Sequence, residues 1–466
     1  MPTRRLVTFL IGLCAVVVFA AAPLVSQEAA PTGAAALLRA PAFRNLGPAR
    51  QNGRILHVLV NERQPSTFYL APATGGLWKT VNNGTTFESV LPDKSAVAIG
   101  HAALAPSNPD IIWVGTGDAA SGRIPLRGFG VWKSADAGNT WAHMGLTDTR
   151  HIGRISIHPR NPDIVYVAAV GYHFSNSTDR GLYKTIDGGK TWAKVLDKGD
   201  RVGVVDVVID PKKPSTVFAV TYDKTRIPWS FDEGGPETGI YKSTDDGKTW
   251  RRLAGGLPTG ELGRSGLVIY PKNPAIMYAV IDNLNPRPAS PDKPAAGGQP
   301  VGAQPQARPQ APRPIGGEVY RSENGGETWV KTNADGESIG GGKWYGWIYV
   351  DPNNDKTVYV PSVSFYRSLD GGKTWGKKGP ENLARSFHVD YHGFWVDPRD
   401  SRHLILASDG GLAFSWDFGE TWDVVDHLPL AQYYAVGVDM EEPYNIYGGL
   451  QDNGSVKIPS NGPRGA

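Results

Sequence analysis

Cysteine is almost missing from this chain. The only one among 466 residues, Cys14, sits in an apolar run. That excludes a disulfide framework, a cysteine-based zinc centre and a cysteine nucleophile together. Methionine is scarce at 4, and the formal net charge is only +3. With no Lys/Arg cluster beside it, this balance leaves no electrostatic footprint for nucleic acid. Long hydrophobic runs are confined to the N-terminus, where Leu6 to Leu24 follows Arg4 and Arg5 and contains small residues at Ala20 to Ala22, with Ser26 just beyond. A basic start, an apolar middle and a small-residue exit read as a secretory signal peptide over residues 1–26, with an uncleaved anchor as the alternative. Leu13, before Cys14, is too large for a lipoprotein signal. The expectation is a secreted or periplasmic protein with a linker at 27–42 and no later membrane span.

Turn-forming and aromatic residues are plentiful instead: Gly 57, Pro 37, Trp 14 and Tyr 18. This mixture argues against long helices, coiled coils and disorder. It is organised by a repeat, S/T-x-D/N-x-G-x-T-W/F, which occurs seven times, starting at Thr80, Ser134, Thr185, Ser243, Ser322, Ser368 and Ser415. The spacings are 54, 51, 58, 79, 46 and 47 residues. The one long interval contains a segment, 285–315, with nine prolines. It reads as a disordered insertion, and removing it restores the common spacing. Ahead of each box a Pro/Asn/Asp turn separates two short β-rich runs, such as Pro159 to Asp163 between Ile155 to Ile157 and Ile164 to Val170. Each repeat therefore predicts four strands in the order A, turn, B, loop, C, box, D.

About 50 residues and four strands per repeat predict an all-β fold, a β-propeller of four-stranded antiparallel blades over residues 43–428. The blade number is seven, or eight if the partial repeat at 429–466 pairs with Phe43 to Leu46; otherwise that partial repeat begins a second propeller. Within the box, the residues Asn82, Asp136, Asp187, Asp245, Asn324, Asp370 and Asp417 are expected to fasten the hairpin by accepting hydrogen bonds, not to form a calcium or catalytic array.

The strand order puts the Pro turns and the boxes at one end of every blade and the B–C and D–A loops at the other. The candidate site belongs to the second end. Its D–A loops and innermost strands supply Arg54, His151, Arg154, Arg264, Lys343, His388, Asp390 and His392; its B–C loops supply Asp118, Arg123, Arg127, His173, Asp409 and Asp452. In a strand, His388, Asp390 and His392 would all point to one side. With Asp409 they suggest an acid–base cluster, a fixed hydrogen-bonded loop or, less favoured, a divalent-cation site. No other cofactor is expected. Gly53-Arg54, Gly153-Arg154 and Gly263-Arg264 recur at one blade position and predict an inner ring of positive charge attractive to anionic ligands.

The seven boxes resemble Asp-boxes, or BNR repeats, found in sialidases, two-propeller glycoside hydrolases, sortilin-type receptors and photosystem-assembly propellers. The runs His388 to Pro398, Ala407 to Gly411 and Tyr447 to Gly454 resemble those of secreted bacterial WD/YVTN/BNR-like proteins, sortilin-like and glycosyl-hydrolase-like by fold. The resemblance implies a chain truncated after its first propeller. It also implies two aspartates for hydrolysis in Asp-Gly-Gly surroundings. Asp409-Gly-Gly411 keeps one, while the first blade has Thr74 before Gly75-Gly76. A sialidase-like element, Arg-Ile-Pro, occurs at Arg123 and Arg226, after the first box and not before it. The functional expectation is a module that binds a peptide or glycan on this face, with a second propeller or another surface protein as a possible partner. The alternatives are a glycoside hydrolase using Asp409, Asp390 or Asp118, and a structural scaffold.

Overall fold

A computed structural model describes residues 53–91, 98–120, 126–227, 229–288, 313–342, 345–380 and 387–462. The expected signal peptide and linker, Phe43 to Leu46, Arg123 and Lys343 lie outside these residues. Among them are seven four-stranded antiparallel sheets, each ordered A-B-C-D along the chain. We number them sheets 1 to 7, at 55–89, 99–143, 152–196, 202–252, 262–331, 349–377 and 391–425. A hairpin, Thr225–Ile227 and Ser230–Asp232, is inserted between strands B and C of sheet 4. A three-stranded sheet, Tyr433–Val438, Asn445–Leu450 and Ser455–Pro459, follows sheet 7. No helix among the described residues is long and apolar enough to cross a membrane.

Strand B is the most deeply buried. Phe68–Pro72, Val165–Ala169 and Val217–Asp223 are buried at every position. Such continuous β-branched and aromatic runs suit a strand covered on both faces, because one sheet packs against the next. The cores accordingly lie between neighbours. Leu59, Tyr69 and Leu77 of the first repeat meet Ile99, Ile112 and Val114 of the second. The same chemistry joins the first sheet to the last: Ile55, Phe68 and Leu70 share a core with Ile405, Leu412 and Phe414. Strand A of sheet 1 also lies against strand A of sheet 7. Each fully buried Leu or Phe contributes roughly 1.5–3 kcal/mol, so this seam is a strong clasp. It leaves neither end sheet with a bare apolar face.

The repeated turn works the same way each time. In the second copy Ser134 Oγ donates to Asp136 Oδ1 at 2.8 Å, Gly138 N donates to Ser134 Oγ at 2.9 Å, and Thr140 N and Oγ1 donate to Asp136 Oδ1 and Oδ2 at 2.8 and 2.6 Å. Where asparagine replaces aspartate the geometry survives. Asn82 Oδ1 accepts from Thr86 N at 2.9 Å, and its Nδ2 donates to Thr86 Oγ1 at 2.9 Å. The glycine has φ of 92° at Gly138, a conformation a side chain would strain. The closing indole ties sheets together: Trp141 and Trp192 donate to Val90 O at 2.7 Å and Met144 O at 2.6 Å, both in the preceding repeat.

The proline-rich insertion is narrower than its sequence suggests. Its flanks are strand: Met277–Pro286 pairs with Pro314–Ser322, reaching the Pro286–Pro314 pair. Proline is tolerated there because it stands at strand ends, where a missing N–H breaks no ladder. Residues 289–312 lie outside the described residues.

Candidate functional site

The B–C and D–A loops converge around the innermost strands, and an irregular entry to these strands shapes what is found there. Register shifts occur where strand A begins in six of the seven sheets, for example between Ile55 and His57 and between Val204 and Asp206. Bulges at a rim re-aim side chains.

The centre of the mouth is filled. Trp347 is buried, with His57 edge-on at 5.1 Å, His101 at 6.2 Å, and the guanidiniums of Arg154 and Arg264 at 5.6 and 5.9 Å from its ring. Burial holds His57 down to about 3 and His101 well below the ordinary imidazole value. Both are neutral at physiological pH.

The recurrent arginines are answered from within. Arg54 is buried, with Nε 3.2 Å from Asp409 Oδ1 and Nη1 3.7 Å from Asp118 Oδ2. Burial pulls its pKa down, and the two carboxylates more than reverse that. Arg154 pairs with Asp206 at 2.9 Å, and Arg264 donates to Ala119 O at 2.6 Å. Two of the three arginines expected to form an inner ring of positive charge are therefore paired with carboxylates, and the third, Arg264, is buried against a backbone carbonyl. Asp206 also accepts from Leu267 N at 3.0 Å, which locks sheet 4 to sheet 5. Asp118 is buried as well and caps its own turn by accepting from Ala120 N at 2.9 Å.

His151 and His173 are core residues. Nδ1 of His151 donates to Gly171 O at 2.9 Å, and its ring meets His173 edge-on at 4.1 Å. Lys224 Nζ, also buried, donates to His173 Nδ1 at 2.6 Å. Burial lowers all three pKa values, that of His151 to about 3.

The expected alignment of His388, Asp390 and His392 is not present. Strand A of sheet 7 begins only at Tyr391, and Asp390 has φ of 66°. A left-handed residue breaks the period-two alternation. His392 turns inward, its Nε2 2.8 Å from Asp409 Oδ1. His388 and Asp390 instead meet Asp452 from the three-stranded sheet, one ligand atom of each lying within 4.8 Å of the others. The cation-competent group is thus His388, Asp390 and Asp452, without His392.

These carboxylates differ sharply. Burial alone would raise Asp409, but Arg54 and His392 hold it at about 2. Asp452, at the surface, is raised by partial burial and by the nearby Asp409. Gln451 Nε2 reaches both, at 3.5 and 3.4 Å, and Asn453 Nδ2 donates to Asp409 O at 2.9 Å. Asp390 accepts from Tyr345 OH at 2.6 Å, and the Tyr345 ring stacks on His392 at 5.7 Å. Burial and Asp390 push the Tyr345 hydroxyl above its ordinary value, so it stays a donor. Tyr345 and Trp347 were not singled out in the sequence, although they lie beside Lys343 in an aromatic run entering strand A of sheet 6.

The family profile described as "Sortilin, neurotensin receptor 3" matches residues 130–284. Xyloglucanase Xgh74A of Acetivibrio thermocellus is 25% identical over 245 residues, covering 45% of this chain and 27% of that protein. A Paenibacillus xyloglucanase is 24% identical over 253 residues, covering 48% and 23%. The GH74 xyloglucanase structure from Xanthomonas campestris aligns with TM-score 0.60 at 17% identity, over 87% of this chain and 59% of that one. The Niastella koreensis GH74 enzyme gives 0.59 at 18%, over 90% and 60%. The chain matches about a quarter of the length of these curated relatives and about three fifths of these structures. Its fold is the β-propeller of sortilin-like and glycoside-hydrolase-like proteins.

Proposed function

We propose that this chain is an exported, seven-bladed Asp-box propeller that hydrolyses a glycosidic bond at the open end of its sheets, with Asp390 and Asp452 as the reacting pair. The observation that carries this reading is two accessible carboxylates with oxygens within 4.8 Å, one of them with a raised proton affinity. Retaining glycosidases hold their two carboxyl groups about 5–5.5 Å apart. Similarity to xyloglucanases supports a glycan over a peptide as the ligand.

Asp452, whose proton affinity partial burial and the nearby Asp409 charge raise, gives a proton to the glycosidic oxygen as the C–O bond breaks. The Asp390 carboxylate, steadied by the Tyr345 hydroxyl, attacks the anomeric carbon and forms a glycosyl ester. The Asp452 carboxylate then takes a proton from the water that cleaves this ester, which restores both groups. Asp409 acts through Asp452 and is a positioning residue. Asp118 belongs to the frame with Arg54.

Reducing-end release from a panel of plant and bacterial polysaccharides tests the proposal. Activity that Asp390→Asn and Asp452→Asn each abolish, at unchanged melting temperature, is the expected result. Binding without release would restore the reading of a non-catalytic glycan module.

A further inference from the structure

We infer that the polysaccharide received at this open end is acidic, bearing uronate carboxylates, and that the arginine–aromatic pairs Arg127–Phe129 and Arg150–Tyr172 on sheets 2 and 3 receive it. The inference rests on the glycan reading above and specifies its substrate class. The inner arginines cannot serve, because Asp118, Asp409 and Asp206 already hold Arg54 and Arg154, and Arg264 is buried and donates to Ala119 O. A second, outer set is arranged differently.

Arg127 lies 5.3 Å from the ring of Phe129, Arg150 5.1 Å from that of Tyr172, and Arg226 5.0 Å from those of both Phe174 and Phe231. Arg127, Phe129, Tyr172 and Phe174 are in B–C loops and Arg150 is in a D–A loop, at the same end as Asp390 and Asp452, while Arg226 and Phe231 are in the hairpin inserted between strands B and C of sheet 4. Tyr172 and Phe174 meet edge to face at 6.0 Å, which joins the second pair to the third. Phe129 and Phe174 are 47% and 39% exposed. Among the described residues Arg127 and Arg150 make no ion pair, and Arg226 has Glu233 in its surroundings.

The pairing matters chemically. An exposed aromatic face offers an apolar bed for the C–H face of a pyranose ring. At Arg127 and Arg150 the guanidinium held over such a face can grip a carboxylate with two parallel N–H donors of its planar fork. A neutral glycan would need only the rings. Two such pairs, Arg127 with Phe129 and Arg150 with Tyr172, on neighbouring sheets fit a polymer whose charge recurs along its length.

The test is titration of the full chain with oligogalacturonate and with the same oligomer after methyl esterification, which removes the charge and keeps the backbone. The acidic form is expected to bind on the order of tenfold more tightly, with an advantage that shrinks as salt is added. The double variant Arg127→Gln/Arg150→Gln should lose that advantage at unchanged melting temperature, whereas Phe174→Ala should weaken both forms. Equal affinity for the two forms overturns the acidic assignment and leaves the glycan reading standing. Binding of neither form, nor of xyloglucan, overturns both. Equal binding of a short single-stranded DNA would make the arginines a general polyanion surface and also overturn the assignment.

Discussion

The two ends of the sheets are built on opposite rules. At the box end one turn is repeated seven times with the same donors and acceptors, and its carboxylates or amides meet only their own loop. At the other end no two loops are alike, and side chains reach across the ring: Arg54 of the first repeat touches Asp118 of the second and Asp409 of the seventh. Local repetition builds a scaffold, whereas charge brought together from distant repeats makes a site. Damage should therefore stay local at the box end and spread at the open end.

The largest effect belongs to the charge network. Arg54→Met leaves Asp118 and Asp409 buried without their cation, and removing one partner of a buried pair costs about 3–5 kcal/mol. Urea denaturation should show a loss of this size. Phe68→Ala opens a cavity in the seam between sheets 1 and 7 and should cost a similar ~3–5 kcal/mol. Because the seam closes the succession of sheets, hydrogen exchange should rise in both end sheets. A change confined to sheet 1 would show that they are not clasped.

A smaller, pH-dependent effect follows from Asp409. Its folded pKa, about 2, lies below the unfolded value of about 3.9. Its contribution is therefore complete above pH ~4 and is lost as the pH falls toward 2. The stability gap between the parent and Asp409→Asn should narrow over that interval. The smallest effect is at the boxes. Asp136→Asn reproduces the arrangement already present at Asn82 and Asn324, so the melting temperature should not change measurably. Asp136→Ala, which removes the acceptor, should lower it.

The same contrast decides what the sequence reveals. The boxes, the strand order and the end of the sheets on which each loop lies are all legible, because they depend on local spacing and alternation. The inner arginines were also recognisable, by repetition, but the carboxylate partners of Arg54 and Arg154 were not. Asp206 and Asp409 reach them from other repeats, through bulged entries that spacing does not encode. The break between Asp390 and His392 depends on one left-handed backbone angle. Trp347 fills the mouth because four repeats converge on it, a property of the assembled ring and not of its own neighbours in sequence. Asp452 was legible as a candidate, although its proton affinity depends on Asp409, which is distant in sequence and adjacent only after folding.

Folding drives two neighbouring carboxylates apart in acidity, Asp409 downward and Asp452 upward. Side-chain carboxyl ¹³C NMR, titrated from pH 2 to 8 with Asp452→Asn and Asp409→Asn for assignment, measures this directly. Asp409 should still carry its charge at pH 3, Asp452 should titrate above the ordinary aspartate value of about 3.9, and Asp409→Asn should bring Asp452 back down. Titration of both near the ordinary value, with Asp452 unmoved by the loss of Asp409, would contradict it.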